Sequence, residues 1–417
     1  MVNRVSASEM AELIRSPKQG EEAPLHKKLS KTLKAIRTHL GMDVAFISEF
    51  SEGRRYFRYV DSARLEKPVL VGQSDPIEES YCQRIIDGRL PELILDAARL
   101  PAAQALPVTA ALPVGAHLSV PIRLKNGHIY GTFCCFSFTP DYSLNDRDLG
   151  MMRVFADLSA EQIEHDVART ATRSGMTHRI SDALSGDVLS MVYQPIYNIV
   201  QHTIVGFEAL SRFSTVPYRA PDIWFNEAAE VGLGAELESK AMKLALADIE
   251  QLSPQGYVSV NVSPQFILRD GLDKLLNGEN LQRIVLEVTE HASIGQYTDL
   301  AEQIDPLRRR GLRIAVDDAG AGYASFRHIL NLAPDLIKLD ASITRNIDTD
   351  FSRRALATAF ISFAEATQCK LIAEGVETAE ELLMLQQLGV NQVQGNLLGK
   401  PMRVGCTSEP IFPEEPH

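Results

Sequence analysis

Between residues 188 and 396 the chain repeats one alternation eight times: a short apolar, β-branched run, then in most cases an amphipathic stretch. The runs are "MVYQPIY", "TIVGFEAL", "YVSVNV", "RIVLEV", "RIAVDD", "LIKLD", "KLIAEGV" and "VNQVQG", with helical patterning between them at 297–310, 352–368 and 378–389. Buried strands alternating with amphipathic helices read as βαβ units. Eight units in roughly 230 residues suit an α/β (β/α)8 TIM-type barrel, expected over residues 176–404.

The first part of the chain has another rhythm. Residues 25–40, "LHKKLSKTLKAIRTHL", place Leu25, Leu29, Leu33, Ile36 and Leu40 at helical spacing. Strand-like runs follow, "DVAFISEF", "RYFRYVDS", "HLSVPIRL" and "HIYGTFCCFSF", the last two joined by the hairpin signal "KNG". A helical stretch from about residue 145 to 170 carries Leu149, Met152, Ala156, Ser159 and Ile163 on one face. These features predict an α+β sensor domain with a connecting helix over 25–170. The polar "TATRSGMTHR" is the expected junction, and residues 1–24 and 405–417 are read as tails.

Seven of the eight barrel runs end in a polar side chain: Glu208, Asn261, Glu287, Asp317 with Asp318, Lys338, Glu374 and Gln394. In a parallel barrel such ends point to one face, where active sites of this fold are built. A lone polar residue at a strand end is most often a helix cap; a run of them around one barrel is not. Glu208 is the sharpest case, because a charge inside an apolar run is costly unless paired or bound to a metal. Carboxylates and an amide are oxygen donors, which suit Mg2+ or Mn2+. Asp317 and Asp318 would face opposite ways on a regular strand, but both reach one site where the strand breaks. One carboxylate can then bridge two metals, as in sites that clamp both oxygens of a phosphoryl displacement.

Composition narrows the alternatives. The net charge of −12 lies entirely in residues 176–417, with 20 basic against 32 acidic side chains, while residues 1–175 hold 22 of each. An acidic barrel argues against a nucleic-acid polymer as partner. No apolar run approaches the length of about 20 residues needed to span a membrane, and the polar start lacks a signal-peptide core. The five cysteines (82, 134, 135, 369 and 406) form no C-x-x-C pair, so a cytoplasmic location is expected. "GAGYAS" departs from G-x-G-x-x-G, "GNLLGK" has the wrong spacing for a P-loop, and no G-G-D/E-E-F stretch occurs.

Residues 188–402 resemble an EAL domain, the cyclic di-GMP phosphodiesterase family. "YQPIY", "GFEALSRF", "VSVNVSP", "IVLEVTE", "IAVDDAGAGYASF", "IKLDASI", "LIAEGVET" and "VQGNLLGKP" match its motifs in order. The resemblance implies one metal held by Glu208, Asn261, Glu287 and Asp317, and a second served by Asp317, Asp318 and Glu374. It gives Glu374 the further role of general base and has Lys338 and Gln394 position the water. Arg212 would contact a substrate phosphate, with Gln194, Leu210 and Pro401 also lining the substrate. Glu290 would anchor the loop after Asp318, which contributes to a homodimer contact. Two departures stand out. Ala319 occupies the position of the family's phenylalanine in that loop, with Ala324 and Phe326 further on. Asn396 and Leu398 replace aromatics common after Q-G.

Residues 25–168 resemble a GAF domain through "SYCQRIIDGRLPELILDA" and "LSVPIRLKNGHIYGTFCCFS". The resemblance implies a module that binds a small ligand or chromophore, or only dimerises. Gln83 follows Cys82, where chromophore-attaching relatives often carry histidine, so Cys82 is expected to be a buried structural thiol. Cys134 and Cys135 are read as packing on opposite faces of a strand.

The expected function is metal-dependent hydrolysis of cyclic di-GMP to linear pGpG, modulated by the first domain, with two Mg2+ or Mn2+ ions per site and inhibition by Ca2+. The alternative is a weak or inactive cyclic di-GMP receptor that signals through a partner protein. A third reading makes the chain a ligand or redox sensor, with the barrel as its dimerisation body.

Overall fold

The computed structural model describes residues 25–63, 68–252, 255–269, 271–288, 297–320 and 325–405, the last segment without the side chains of 325–328. It divides into two compact units that meet at Thr172/Arg173. In the first, six antiparallel strands among the described residues lie in the order β3-β2-β1-β6-β5-β4. They are β1 (Val44–Ser51), β2 (Arg54–Ser62), β3 (Ser74–Pro76), β4 (Leu93–Ile94), β5 (His117–Arg123) and β6 (Ile129–Phe136). α1 (Leu25–Leu40) buries Leu29, Leu33, Ile36 and Leu40, the stripe that its spacing predicts, against Ile47, Val120 and Cys135. Alternation along β6 sends Cys135 to that face and Cys134 to the other, among Phe46, Phe57, Cys82 and Ile85. The short helix α2 (Tyr81–Ile86) contributes Tyr81, Cys82 and Ile85 to the second face.

The connecting helix is longer than expected: α3 runs Asp146–Ser185, forty residues. It includes the polar stretch read as a junction, and the boundary between the two units falls inside it. Polar composition alone does not end a helix; that stretch has no proline, and its single Gly175 costs only about 1 kcal/mol.

In the second unit, eight strands among the described residues close into a barrel, in the order β10-β11-β12-β13-β14-β7-β8-β9. They are β7 (Leu189–Asn198), β8 (Thr203–Phe213), β9 (Tyr257–Val262), β10 (Ile284–Val288), β11 (Arg313–Ala319), β12 (Leu336–Leu339), β13 (Lys370–Ala373) and β14 (Gln392–Val393). All eight sequence runs are strands. Outside them stand α4 (Pro221–Val231), α5 (Gly234–Ala247), α6 (Tyr297–Arg308), α7 (Ser325–Leu332), α8 (Phe351–Thr367) and α9 (Ala379–Gln387).

One strand departs from the all-parallel expectation. β7 is antiparallel to both its neighbours, β8 and β14. The cause is local: Asn198 Oδ1 accepts from the backbone N–H groups of Val200 and Gln201, and His202 takes a positive φ of 53°. That side-chain turn folds β7 straight back into β8, with no helix between them. Inside the barrel, Ile196, Tyr257, Val285, Ala315, Leu336 and Ile372 form an apolar floor. Two residues further along four of these strands come Glu287, Asp317, Lys338 and, just past the end of β13, Glu374. Period two therefore stacks a charged layer directly on an apolar one.

Candidate active site

Lys338, on β12, is 1% exposed. Its Nζ lies 2.6 Å from Glu374 Oε1, 3.0 Å from Glu287 Oε2, 3.0 Å from Asp317 Oδ1 and 3.5 Å from Glu208 Oε2. The four carboxylates arrive from four different strands or strand ends. Glu208 also accepts from Gln394 Nε2 at 2.6 Å and from Asn261 Nδ2 at 3.3 Å. Antiparallel pairing sets Gln194 directly opposite Glu208, and Gln194 Oε1 accepts a second bond from Gln394 at 3.1 Å. Gln194 Nε2 in turn donates to the Gly399 carbonyl at 3.0 Å, which ties the segment before Pro401 to the site.

Asp317 and Asp318 reach the site by a bulge. β11 runs in register with β12 up to Val316↔Ile337 and resumes at Ala319↔Leu339, so it carries one extra residue there. Asp318 absorbs the irregularity with φ 52°, a left-handed conformation that Asp tolerates better than most residues. Carboxylate oxygens of Asp317, Asp318 and Glu374 consequently lie within 4.8 Å of one another. The Ala319 departure lies in the strand, fully buried and paired with Leu339. Ala324 and Glu290 lie outside the described residues.

The electrostatics follow from burial. Burial is the largest influence on Glu374 and lifts its carboxyl; Lys338 pulls it down, Asp317 and Glu208 push it up again, and it settles at about 8. Glu287 is held well above the carboxylate range, first by burial and then by Glu208, Asp317 and Glu374, against the pull of Lys338. Burial disfavours the Lys338 ammonium, but Glu208, Glu287, Glu374 and Asp317 outweigh it and hold the proton on. Carboxylates packed this closely keep protons unless further positive charge is supplied.

The donor set fits such a supply. Every candidate group around Lys338 offers oxygen, the hard-ligand set of Mg2+ and Mn2+. Gln394 Oε1 is buried without a hydrogen-bond partner among the described residues, an acceptor left open on the side chain that holds Glu208. Arg212 and Leu210 follow Glu208 on the same face of β8, both half-buried, and Arg212 Nη1 rests on the Ser211 carbonyl at 2.8 Å. Pro401 is half-buried beside the Tyr193–Met402 bridge.

Two supporting carboxylates escaped the sequence reading. Glu238, on α5, accepts from Ser263 N at 2.8 Å and Ser263 Oγ at 2.7 Å, which pins the chain just beyond Asn261. Glu381 accepts from the backbone N–H groups of Asn346 (2.9 Å), Glu377 (2.9 Å) and Thr378 (3.1 Å), fixing the segment just after Glu374. Thr378 and Glu381 form a capping box, so the T-x-x-E spacing was the available signal for the second. Nothing in the sequence near Glu238 marks it.

Comparison with known proteins bears on the two domains as wholes. The sequence pattern of the EAL domain matches residues 177–401, and that of the GAF domain matches residues 24–163. PdeD of Escherichia coli (strain K12), named a probable cyclic di-GMP phosphodiesterase, is 30% identical over 243 residues, which are 56% of this chain and 45% of PdeD. The EAL enzyme Bd1971, solved in a cAMP- and cyclic-di-GMP-bound form, shares the fold with a TM-score of 0.54. It is 18% identical, over 87% of this chain and 92% of that one. A manganese/cyclic di-GMP complex of Klebsiella pneumoniae BlrP1 at pH 6 is 27% identical with a TM-score of 0.48, over 52% of this chain and 56% of BlrP1. This chain thus spans about half the length of PdeD and of BlrP1. Because the first pattern covers more than half of the sequence and the whole barrel, the chain belongs to the EAL domain family, with a GAF domain ahead of the barrel.

Proposed function

We propose that this chain is a divalent-metal-dependent phosphodiesterase that opens cyclic di-GMP to linear pGpG. The observation that carries the reading is the caged Lys338, with four carboxylates around one ammonium and the bulge that adds Asp318 to the set. Glu208, Asn261, Glu287 and Asp317 would hold one Mg2+ or Mn2+, and Asp317, Asp318 and Glu374 a second. When bound, such a pair supplies Lewis-acid stabilisation of charge on the attacking and leaving oxygens of a phosphoryl displacement.

The chain's own residues would do the rest. Glu374 stands at the edge of the cluster as the base that takes a proton from the attacking water. Lys338 orients that water and keeps positive charge beside the phosphate. Gln394, held by Glu208 and Gln194, offers its open Oε1 to the water's hydrogen. Arg212 would reach a phosphate oxygen, while Gln194, Leu210 and Pro401 line the nucleotide. The working form would be a homodimer, a reading supported by Leu330 on α7 and Phe351 and Leu356 on α8, apolar residues left exposed on the barrel's outside. Among the described residues no helix is long and apolar enough to cross a membrane.

The test is the purified chain with cyclic di-GMP and Mg2+ or Mn2+, its products resolved by chromatography. Linear pGpG is the expected product. Saturable binding of an intact dinucleotide would replace this reading with that of a receptor.

A further inference from the structure

The antiparallel sheet of the first unit carries a second buried polar cluster. Arg55, on β2, is 4% exposed. Its Nε donates to Asp75 Oδ1 at 2.9 Å and its Nη2 to the other carboxylate oxygen, while Nη1 donates to Cys82 Sγ at 3.1 Å. The Cys82 sulfur, fully buried on α2, lies 3.4 Å from Sγ of Cys134, equally buried on β6. Ser119 Oγ (3.0 Å) and Thr132 Oγ1 (3.1 Å) hold Cys134, and Ser48 Oγ holds Thr132 at 2.8 Å.

A thiol buried only for packing needs no guanidinium beside it and no hydroxyls around it. Cys135 provides the contrast on the same strand: its Sγ faces Met152 Sδ at 3.8 Å, across an apolar face. The two sulfurs of the pair stand about 1.4 Å beyond a disulfide bond of about 2.05 Å. Cys134 is fixed by ladders on both sides, opposite Phe46 and Ser119. Cys82 sits on a six-residue helix, outside those ladders.

We propose that Cys82 and Cys134 form an oxidisable dithiol, closed to a disulfide by a hydroperoxide and reopened by a thiol reductant. In the first step the Cys82 thiolate attacks a peroxide oxygen. The O–O bond breaks, the departing hydroxide or alkoxide takes a proton, and Cys82 becomes a sulfenic acid. In the second, the Cys134 sulfur attacks the Cys82 sulfur, the S–S bond forms and the S–O bond breaks. The Cys134 proton leaves with the hydroxide as water. Two thiols lose two electrons in all, and the peroxide is reduced to one water or alcohol plus one water. The proton distribution supports this order of attack. Burial opposes ionisation of Cys82, but the hydrogen bond with Cys134 and the charge of Arg55 outweigh it and bring the thiol to about 5. Cys134 is pushed up, by burial and then by Cys82.

The test uses the native full-length chain, treated with hydrogen peroxide, alkylated with iodoacetamide in denaturant, digested and weighed by mass spectrometry. The expected result is a Cys82–Cys134 cross-linked peptide, two hydrogens lighter than the thiol pair and lost on dithiothreitol, with Cys135 still fully alkylated. Cys134→Ser should instead leave a sulfenic acid at Cys82 that dimedone traps. Full recovery of both thiols at peroxide levels that oxidise the part-exposed Cys369 overturns the proposal. So does a disulfide from either cysteine to Cys135, Cys369 or Cys406, or a wild-type Cys82 carried to sulfinic acid while Cys134 stays free.

Discussion

Lys338 Nζ and Glu374 Oε1 stand 2.6 Å apart, the shortest of four contacts between one buried ammonium and the carboxylates around it. Removing one member of a buried ion cluster leaves the others uncompensated, at a cost of about 3–5 kcal/mol. Lys338→Met is therefore expected to lower the thermal midpoint of the metal-free chain, and Mn2+ should restore more stability to the variant than to the wild type. Equal midpoints for both proteins in a chelator would contradict the cage.

The pH dependence of the metal-free chain should carry an unusual sign. Glu374 titrates at about 8 in the folded chain against an ordinary 4.5, so the folded state holds a proton that the unfolded state releases. The stability from this group is complete below about pH 4.5 and falls as the pH rises towards 8. Glu287, shifted the same way, adds to the slope. Denaturant midpoints in a chelator at pH 5, 6.5 and 8 should decline, and saturating Mg2+ should flatten the decline. A metal-free midpoint that climbs over this range would show the site to be ionised without a cation.

Glu208→Ala removes a carboxylate that also accepts from Gln394 and Asn261. Hydrolysis of cyclic di-GMP should fall by at least about a hundredfold. Ca2+, larger and more loosely coordinated than Mg2+, should inhibit. Chromatographic rates for the variant and for each cation decide both points; wild-type turnover by Glu208→Ala, or full activity in Ca2+ alone, counts against the site as assigned.

Glu381 touches no reacting group; it holds three backbone N–H groups around the segment after Glu374. Glu381→Ala should cost about 1–3 kcal/mol by leaving those donors unpaired. Turnover should drop with little change in substrate KM, and Glu381→Gln should recover part of it. A purely structural role would show as lost stability with unchanged kcat in the folded fraction.

Residues 176–404 expressed alone should fold and keep the chemistry, because every proposed ligand lies within them. A well-folded fragment that binds no Mn2+ by calorimetry would exclude this. Comparing the full chain with one lacking residues 1–170 then measures what the GAF domain does. Regulation should change turnover or its metal dependence several-fold, whereas identical kinetics at the same oligomeric state would leave the domain a tether.

Periodicity in the sequence carries most of the architecture. Apolar alternation marked all eight barrel strands, helical spacing marked the buried face of α1, and the polar strand ends marked the charged layer, because each pattern is a local consequence of backbone geometry. What depends on partners far along the chain was decided only by the tertiary structure. The reversal of β7, which sets Gln194 opposite Glu208, comes from a turn chemistry that the apolar runs on either side conceal. The bulge that turns Asp318 towards Asp317 is a register mismatch between two strands and has no signature within either one. Lys338 stands in the sequence as one more polar strand end; only closure of the barrel surrounds it with carboxylates 21 to 130 positions away. The same holds for Cys82 and Cys134. Fifty-two residues of chain separate them, and the 3.4 Å between their sulfurs exists only because α2 packs on that face of the sheet.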